Sequence, residues 1–214
     1  MSSSFKPLIA CTALLVLAGC VRDNDIDASG GINVTRSACP AVGVPAYTGD
    51  ITLFNPPESR DSRAIDVTAT ITNVRTNCNE TGEEIVSTSS FDVQGWRANT
   101  SGARQVVLPY FATVMRGGTV VVSKRVSQVT LDFADGQARA TARGEGSAVI
   151  NRAAATLPPA IQAQITRRRK PGDPDAAVDP MANPNVREAV ARATFELLVG
   201  FQLDRNQLQY NATR

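Results

Sequence analysis

The chain has 214 residues, with 22 lysines and arginines against 20 aspartates and glutamates, and no histidine. A formal charge of +2 lacks the basic footprint of a nucleic-acid binder. Without histidine there is no Ser–His–Asp triad, no Cys–His pair and no imidazole metal ligand, so most acid–base catalysis is excluded.

Residues 1–20 read MSSSFKPLIACTALLVLAGC. Lys6 gives a basic start, Leu8 to Leu17 form an apolar run, and Leu17-Ala18-Gly19-Cys20 closes it. The run is about half the ~20 apolar residues that span a bilayer, so it reads as a targeting segment. The stretch resembles the signal peptides of bacterial lipoprotein precursors, whose lipobox is a leucine, two small residues and a cysteine. The resemblance covers only the start of the chain and is silent on the fold of the rest. It implies removal of residues 1–19, a diacylglyceryl group on the Cys20 thiol, and acylation of the freed amine. Each buried methylene contributes ~0.8 kcal/mol, and two or more acyl chains anchor stably. Val21 stands where an inner-membrane retention signal would place aspartate, which by the family's sorting rule implies the outer membrane, at its periplasmic face. An ordinary secretory signal cleaved near Gly19 is the alternative. Residues 20–37 are polar and glycine-containing, with too little apolar surface to offset the entropy of ordering, and read as a lipidated flexible tether.

With Cys11 removed and Cys20 lipidated, Cys39 and Cys78 remain. Two unassigned cysteines in an exported chain, with no CxxC motif, predict one disulfide. Closing a loop of ~40 residues stabilises the fold by about 4 kcal/mol on the chain-entropy model.

From residue 64 onward the pattern alternates. Ile65, Val67, Ala69 and Ile71 interleave with Asp66, Thr68, Thr70 and Thr72, which predicts a half-buried strand. After a turn at Asn79–Gly82, Ile85, Phe91 and Val93 share one parity in a strand running to about Trp96. Gln105 to Met115 is apolar on both parities and reads as a central strand buried on both faces. Gly117-Gly118 predicts a two-residue hairpin turn that sets Met115 opposite Val120 and Tyr110 opposite Arg125. Val120, Val122 and Val126 are even-numbered whereas Val129, Leu131 and Phe133 are odd, so a β-bulge is expected near Ser127-Gln128. Asp135-Gly136 predicts a second hairpin, with Phe133 against Ala138, Leu131 against Ala140 and Asp132 against Arg139.

Residues 151–192 change in character. Pro158-Pro159 opens a short helix over Ala160 to Arg169, a proline-rich loop follows, and Asn183 caps a second helix beginning at Pro184. Phe195, Leu197, Val199, Phe201 and Leu203 then form a closing core strand, followed by a turn at 204–206 and a short segment through Leu208 and Tyr210. The whole predicts a single mainly β domain over 38–214. It is expected to be an antiparallel β-sandwich of the broad immunoglobulin or fibronectin kind, with a short helical excursion before the last strand. A single curved antiparallel sheet packed by two short helices is the alternative.

Arg167, Arg168, Arg169 and Lys170 form the densest charge cluster and are the candidate contact for an anionic group or a partner. They also read as a solvated helix end, where cations complement the dipole. Arg139, Arg143 and Glu145 share one strand face, which reads as the polar outer surface. Trp96 and Tyr110 are expected as core or core-edge anchors. No motif calls for a cofactor or a metal. The expected function is therefore a non-catalytic, lipid-anchored envelope protein that binds or scaffolds another envelope component, with no nucleic-acid partner. A carrier or receptor for a small or apolar ligand is the alternative, motivated by the small side chains of Ala138, Ala140, Ala142, Gly144 and Gly146 on one face.

Overall fold

The computed structural model describes residues 36–167, 172–174 and 177–214. The signal segment, Cys20 and most of the expected tether lie outside the described residues, as do Arg168, Arg169 and Lys170. At the end of that tether Arg36 is tied down, its guanidinium donating to the Ala193 carbonyl at 2.8 Å and to Thr194 Oγ1 at 2.7 Å.

Among the described residues, eight strands form two four-stranded sheets packed face to face. One sheet has the spatial order β1 (Ala41–Gly43), β8 (Phe195–Phe201), β5 (Arg104–Arg116), β6 (Val120–Phe133). The other runs β2 (Asp50–Phe54), β3 (Ile65–Asn79), β4 (Glu84–Arg97), β7 (Arg139–Asn151). Every pairing is antiparallel except β1 with β8, which is parallel. This is the expected sandwich, not the single curved sheet. The excursion before the last strand is also present, as α1 (Arg152–Ala155), α2 (Pro159–Thr166) and α3 (Pro184–Arg192). Pro159 opens α2, and the Asn183 side chain accepts from the Asn185 N–H at the start of α3.

Alternation explains the core. The odd residues of β3 and β4, including Val67, Ile71, Ile85, Phe91 and Val93, point inward against Leu108, Leu131, Phe133, Leu197 and Val199 of the other sheet. Burying each such side chain stabilises the fold by about 1.5–3 kcal/mol before entropy is subtracted. The Cys39–Cys78 disulfide joins the segment before β1 to the last turn of β3, and so links the two sheets at one end of the sandwich.

Several expectations are corrected. Asp135-Gly136 does make a tight turn, with Gly136 at φ +75° and Gln137 donating to the Ala134 carbonyl. The flanking strands nevertheless do not pair, because β6 adds to β5 and β7 adds to β4. Phe133 therefore lies opposite Arg104, not Ala138, and Asp132 accepts from Gln105, not from Arg139. The cause is Arg97, which is only 1% exposed. Its guanidinium donates to the carbonyls of Thr100, Gly102, Ala134 and Gln137, so it holds the turn as a corner between the sheets.

The hairpin at Gly117-Gly118 does join β5 to β6, but Thr119 also lies in the turn, and Arg116 is opposite Val120. A register shift at Val114–Met115 leaves Val122 as the extra residue, which puts Tyr110 opposite Ser127. Pairing is continuous through Ser127-Gln128, so the expected bulge is absent there. No change of face is needed, since Val120, Val122 and Val126 simply point outward. β5 is central as expected, yet buried mainly on one face, with Val107 exposed on the other. Trp96 points outward at 43% exposure, whereas Tyr110 is in the core. The chain after β8 is a helix, α4 (Arg205–Thr213), started by a reciprocal capping box between Asp204 and Gln207.

Candidate functional site

Of the residues expected to act, Cys39 and Cys78 form a disulfide with an S–S distance of 2.02 Å. Arg167 sits at the C-cap of α2, the position at which a cation complements the helix dipole. Arg139 and Arg143 lie on the outer face of β7, where Arg143 donates to Ser90 Oγ of β4. Arg125 belongs to the other sheet, on β6 opposite Ala112, so these arginines do not form one patch.

The small residues of β7 do not line a hollow. A Cβ added at Gly144 would lie 2.4 Å from the Phe91 ring, and one at Gly146 would meet Ala112 and Val199 at 2.9 and 3.1 Å. Leu131 and Phe133 fill the corresponding space over Gly95 of β4. Large side chains occupy the room that the small ones leave.

A concavity lies elsewhere, at the end of the sandwich away from the disulfide. It is a groove of about 550 Å³ between β2, the start of β5 and α4. Its apolar floor is Phe54, the last residue of β2, with the Tyr210 ring set edge-on at 5.2 Å and 87°. A register shift between Leu53 and Phe54 ends β2 there, while the capping box at Asp204 starts the helix that delivers Tyr210. Arg60 stands over Phe54, its guanidinium 5.1 Å from the ring centre, and donates to the carbonyls of Pro57 and Ser59. Those contacts hold it in place at the groove rim.

The opposite wall is an ion pair. Arg104 donates two parallel hydrogen bonds to Asp66, at 2.8 and 2.7 Å. The bidentate guanidinium holds the Asp66 carboxyl below the usual carboxylate range, against a desolvation effect of opposite sign. The same contact raises the Arg104 pKa. Each charge neutralises the other and both side chains are fixed.

This constellation offers aromatic surface, oriented arginines and a neutralised pair, with no aligned nucleophile and base. Among the described residues no three histidine, cysteine, aspartate or glutamate side chains are placed to hold a metal. Aromatic and arginine side chains around a concave apolar floor are what protein–protein contacts use for their central anchors.

None of Phe54, Arg60 or Tyr210 stood out in the sequence. The signals were there in Ile51 and Leu53 alternating ahead of Asn55-Pro56-Pro57, and in the capping spacing of Asp204 and Gln207. No family model, curated protein or solved structure matches the chain.

Proposed function

We propose that this protein is a lipid-anchored component of the cell envelope, held at the periplasmic face of the outer membrane through Cys20, that binds another envelope protein without catalysing a reaction. The observation that supports this best is the position of the groove. The described residues begin at Arg36, beside the disulfide, where Cys39 N–H donates to Ser37 Oγ and Ala38 N–H donates to Glu80. β5 runs from Arg104 at the groove to Arg116 at the entry end, about 40 Å of strand. An anchor at Cys20 would thus leave Phe54, Arg60 and Tyr210 facing away from the point of attachment, toward other envelope components.

The reading is tested by photo-crosslinking in intact cells, with the probe placed at Arg60 in the groove and, as a comparison, at Thr141 on the outer face of β7. A discrete protein adduct is expected from position 60, lost on Y210D, and absent from position 141. Adducts to lipid alone, or identical adducts from both positions, would remove the binding role. The anchor is tested separately by the mass of the mature amino terminus, which must carry diacylglyceryl cysteine.

A further inference from the structure

We infer that the tip of the β5–β6 hairpin is a second membrane contact, an apolar and basic finger that rests on the lipid surface beside the anchor. The inference builds on the lipid-anchored reading above and concerns a part of the molecule that reading does not use.

Val120, Val121 and Val122 are 57%, 58% and 54% exposed, so three consecutive valines show both faces of the strand to solvent. Val126 on the same strand is 56% exposed. Every residue from Thr119 to Gln128 is exposed, because β6 is an edge strand and its first half overhangs the sandwich. A protein has little reason to leave such a stretch bare unless something covers it.

Its position selects the occupant. Gly117 at the hairpin tip donates to the Thr194 carbonyl at 2.9 Å, and Arg36 donates to Ala193 and Thr194. The tip and Arg36, where the described chain begins, are therefore both fastened to Thr194. Fifteen residues lie between Cys20 and Arg36, and the sixteen steps from one to the other can span at most about 55 Å, so an acyl group at Cys20 keeps this pole within reach of the bilayer. The charges agree, since Lys124 and Arg125 follow the valines on the exposed strand. Cations flanking exposed apolar residues suit a surface of anionic headgroups over acyl chains. The same cations oppose a second copy paired in the antiparallel register centred on them, which sets Lys124 against Arg125.

The test uses the full-length chain, produced in bacteria that process lipoproteins and reconstituted in vesicles of phosphatidylethanolamine and phosphatidylglycerol, with or without brominated acyl chains. Trp96 is the single tryptophan and lies near the opposite pole, paired with Arg139 and Thr68, so the wild-type chain reports on that end. In W96F/V121W the emission reports on the hairpin, and W96F/V122W repeats the measurement one residue away.

The expected result is a blue shift and loss of most of the emission from position 121 or 122 with brominated lipid, with Trp96 unaffected. Adding K124E/R125E should reduce that quenching. Unquenched emission at both hairpin positions, in a chain that floats with the vesicles, overturns the finger and leaves the anchor standing. So does equal quenching of Trp96. A blue shift already present without lipid overturns it in favour of a second copy if it grows with protein concentration, and of the chain's own upstream segment if it does not. A bare Cys20 thiol defeats the anchor reading alone, because quenching of V121W by added vesicles still decides the hairpin.

Discussion

The guanidinium of Arg97 lies 5.3 Å over the Phe133 ring, at the place where the chain passes from one sheet to the other. One face of the cation meets the aromatic quadrupole while its edge donates to four main-chain carbonyls. A buried arginine with no carboxylate is tolerated here because oriented carbonyl dipoles replace its water.

Removing that side chain takes a charged donor from four carbonyls, of which those of Thr100 and Ala134 keep a backbone N–H. R97A is expected to destabilise the fold by about 3–5 kcal/mol, since the packing of a fully buried side chain is lost with hydrogen bonds from a charged donor worth about 1.5–3 kcal/mol each, and water reaching the freed carbonyls recovers part of it. R97K keeps the charge but cannot fork to the same acceptors, and should fall between the two. Urea unfolding of the three proteins checks the order. Equal midpoints for R97A and wild type would show that the corner holds without it.

Asp66 and Arg104 give a pH dependence with a definite sign. The carboxyl pKa is lower in the folded chain than the ~3.9 of an unfolded aspartate. The stabilisation is therefore complete above that value and disappears as pH falls through the depressed one. Arg104 is 42% exposed, so solvent screening keeps the contribution to about 1 kcal/mol or less. D66N should lose this part of the acid limb in thermal melts between pH 6 and about pH 2. An unchanged acid limb would mean that the pair contributes nothing to folding.

Gly144 faces Phe91 with no room for a methyl group. G144A is expected to cost about 1–3 kcal/mol by forcing the ring from its rotamer. If G144A instead raises the melting temperature, the inner face of β7 is looser than described, and the case for a small apolar ligand there gains ground.

Ser87 and Ser89 are fully buried on β4, and neither hydroxyl has a hydrogen-bond partner. Replacing each by alanine removes a desolvated polar group at little cost in packing. S87A and S89A should each be neutral or stabilising by up to about 1 kcal/mol. A loss beyond that in chemical denaturation would reveal a partner for the hydroxyl.

What could be read in the sequence was local. Alternation located β3, β4 and β6 through β8, because a half-buried strand must segregate its faces, and β5 was located by its continuous apolar run. The expected disulfide between Cys39 and Cys78 is present. Which strand lies beside which is a different matter. Asp135-Gly136 carries every local mark of a hairpin, yet a side chain thirty-eight residues upstream, Arg97, turns it into a corner. Large-opposite-small matching was present in the core as well, but across other pairs, Phe91 with Gly144 rather than Phe133 with Ala138. β1 and β2 escaped notice because they are only three and five residues long, and the single alternating pair Ile51 and Leu53 in β2 is too little to stand out. The groove went unseen for the same reason, since it joins the end of β2 to a terminal helix whose amphipathic pattern is faint.

The bridge at Cys39 has a mechanical consequence. It lies three residues beyond Arg36, ahead of every strand. Tension pulling on the amino-terminal end passes through that covalent link into the long ribbon ending at Cys78 before it can peel the three-residue β1 from β8. Load is borne by a fifteen-residue strand hydrogen-bonded to β4 from Val67 to Asn79 and to β2 at its far end, so the three-residue β1 is shielded from the direction in which a moored molecule would be tugged.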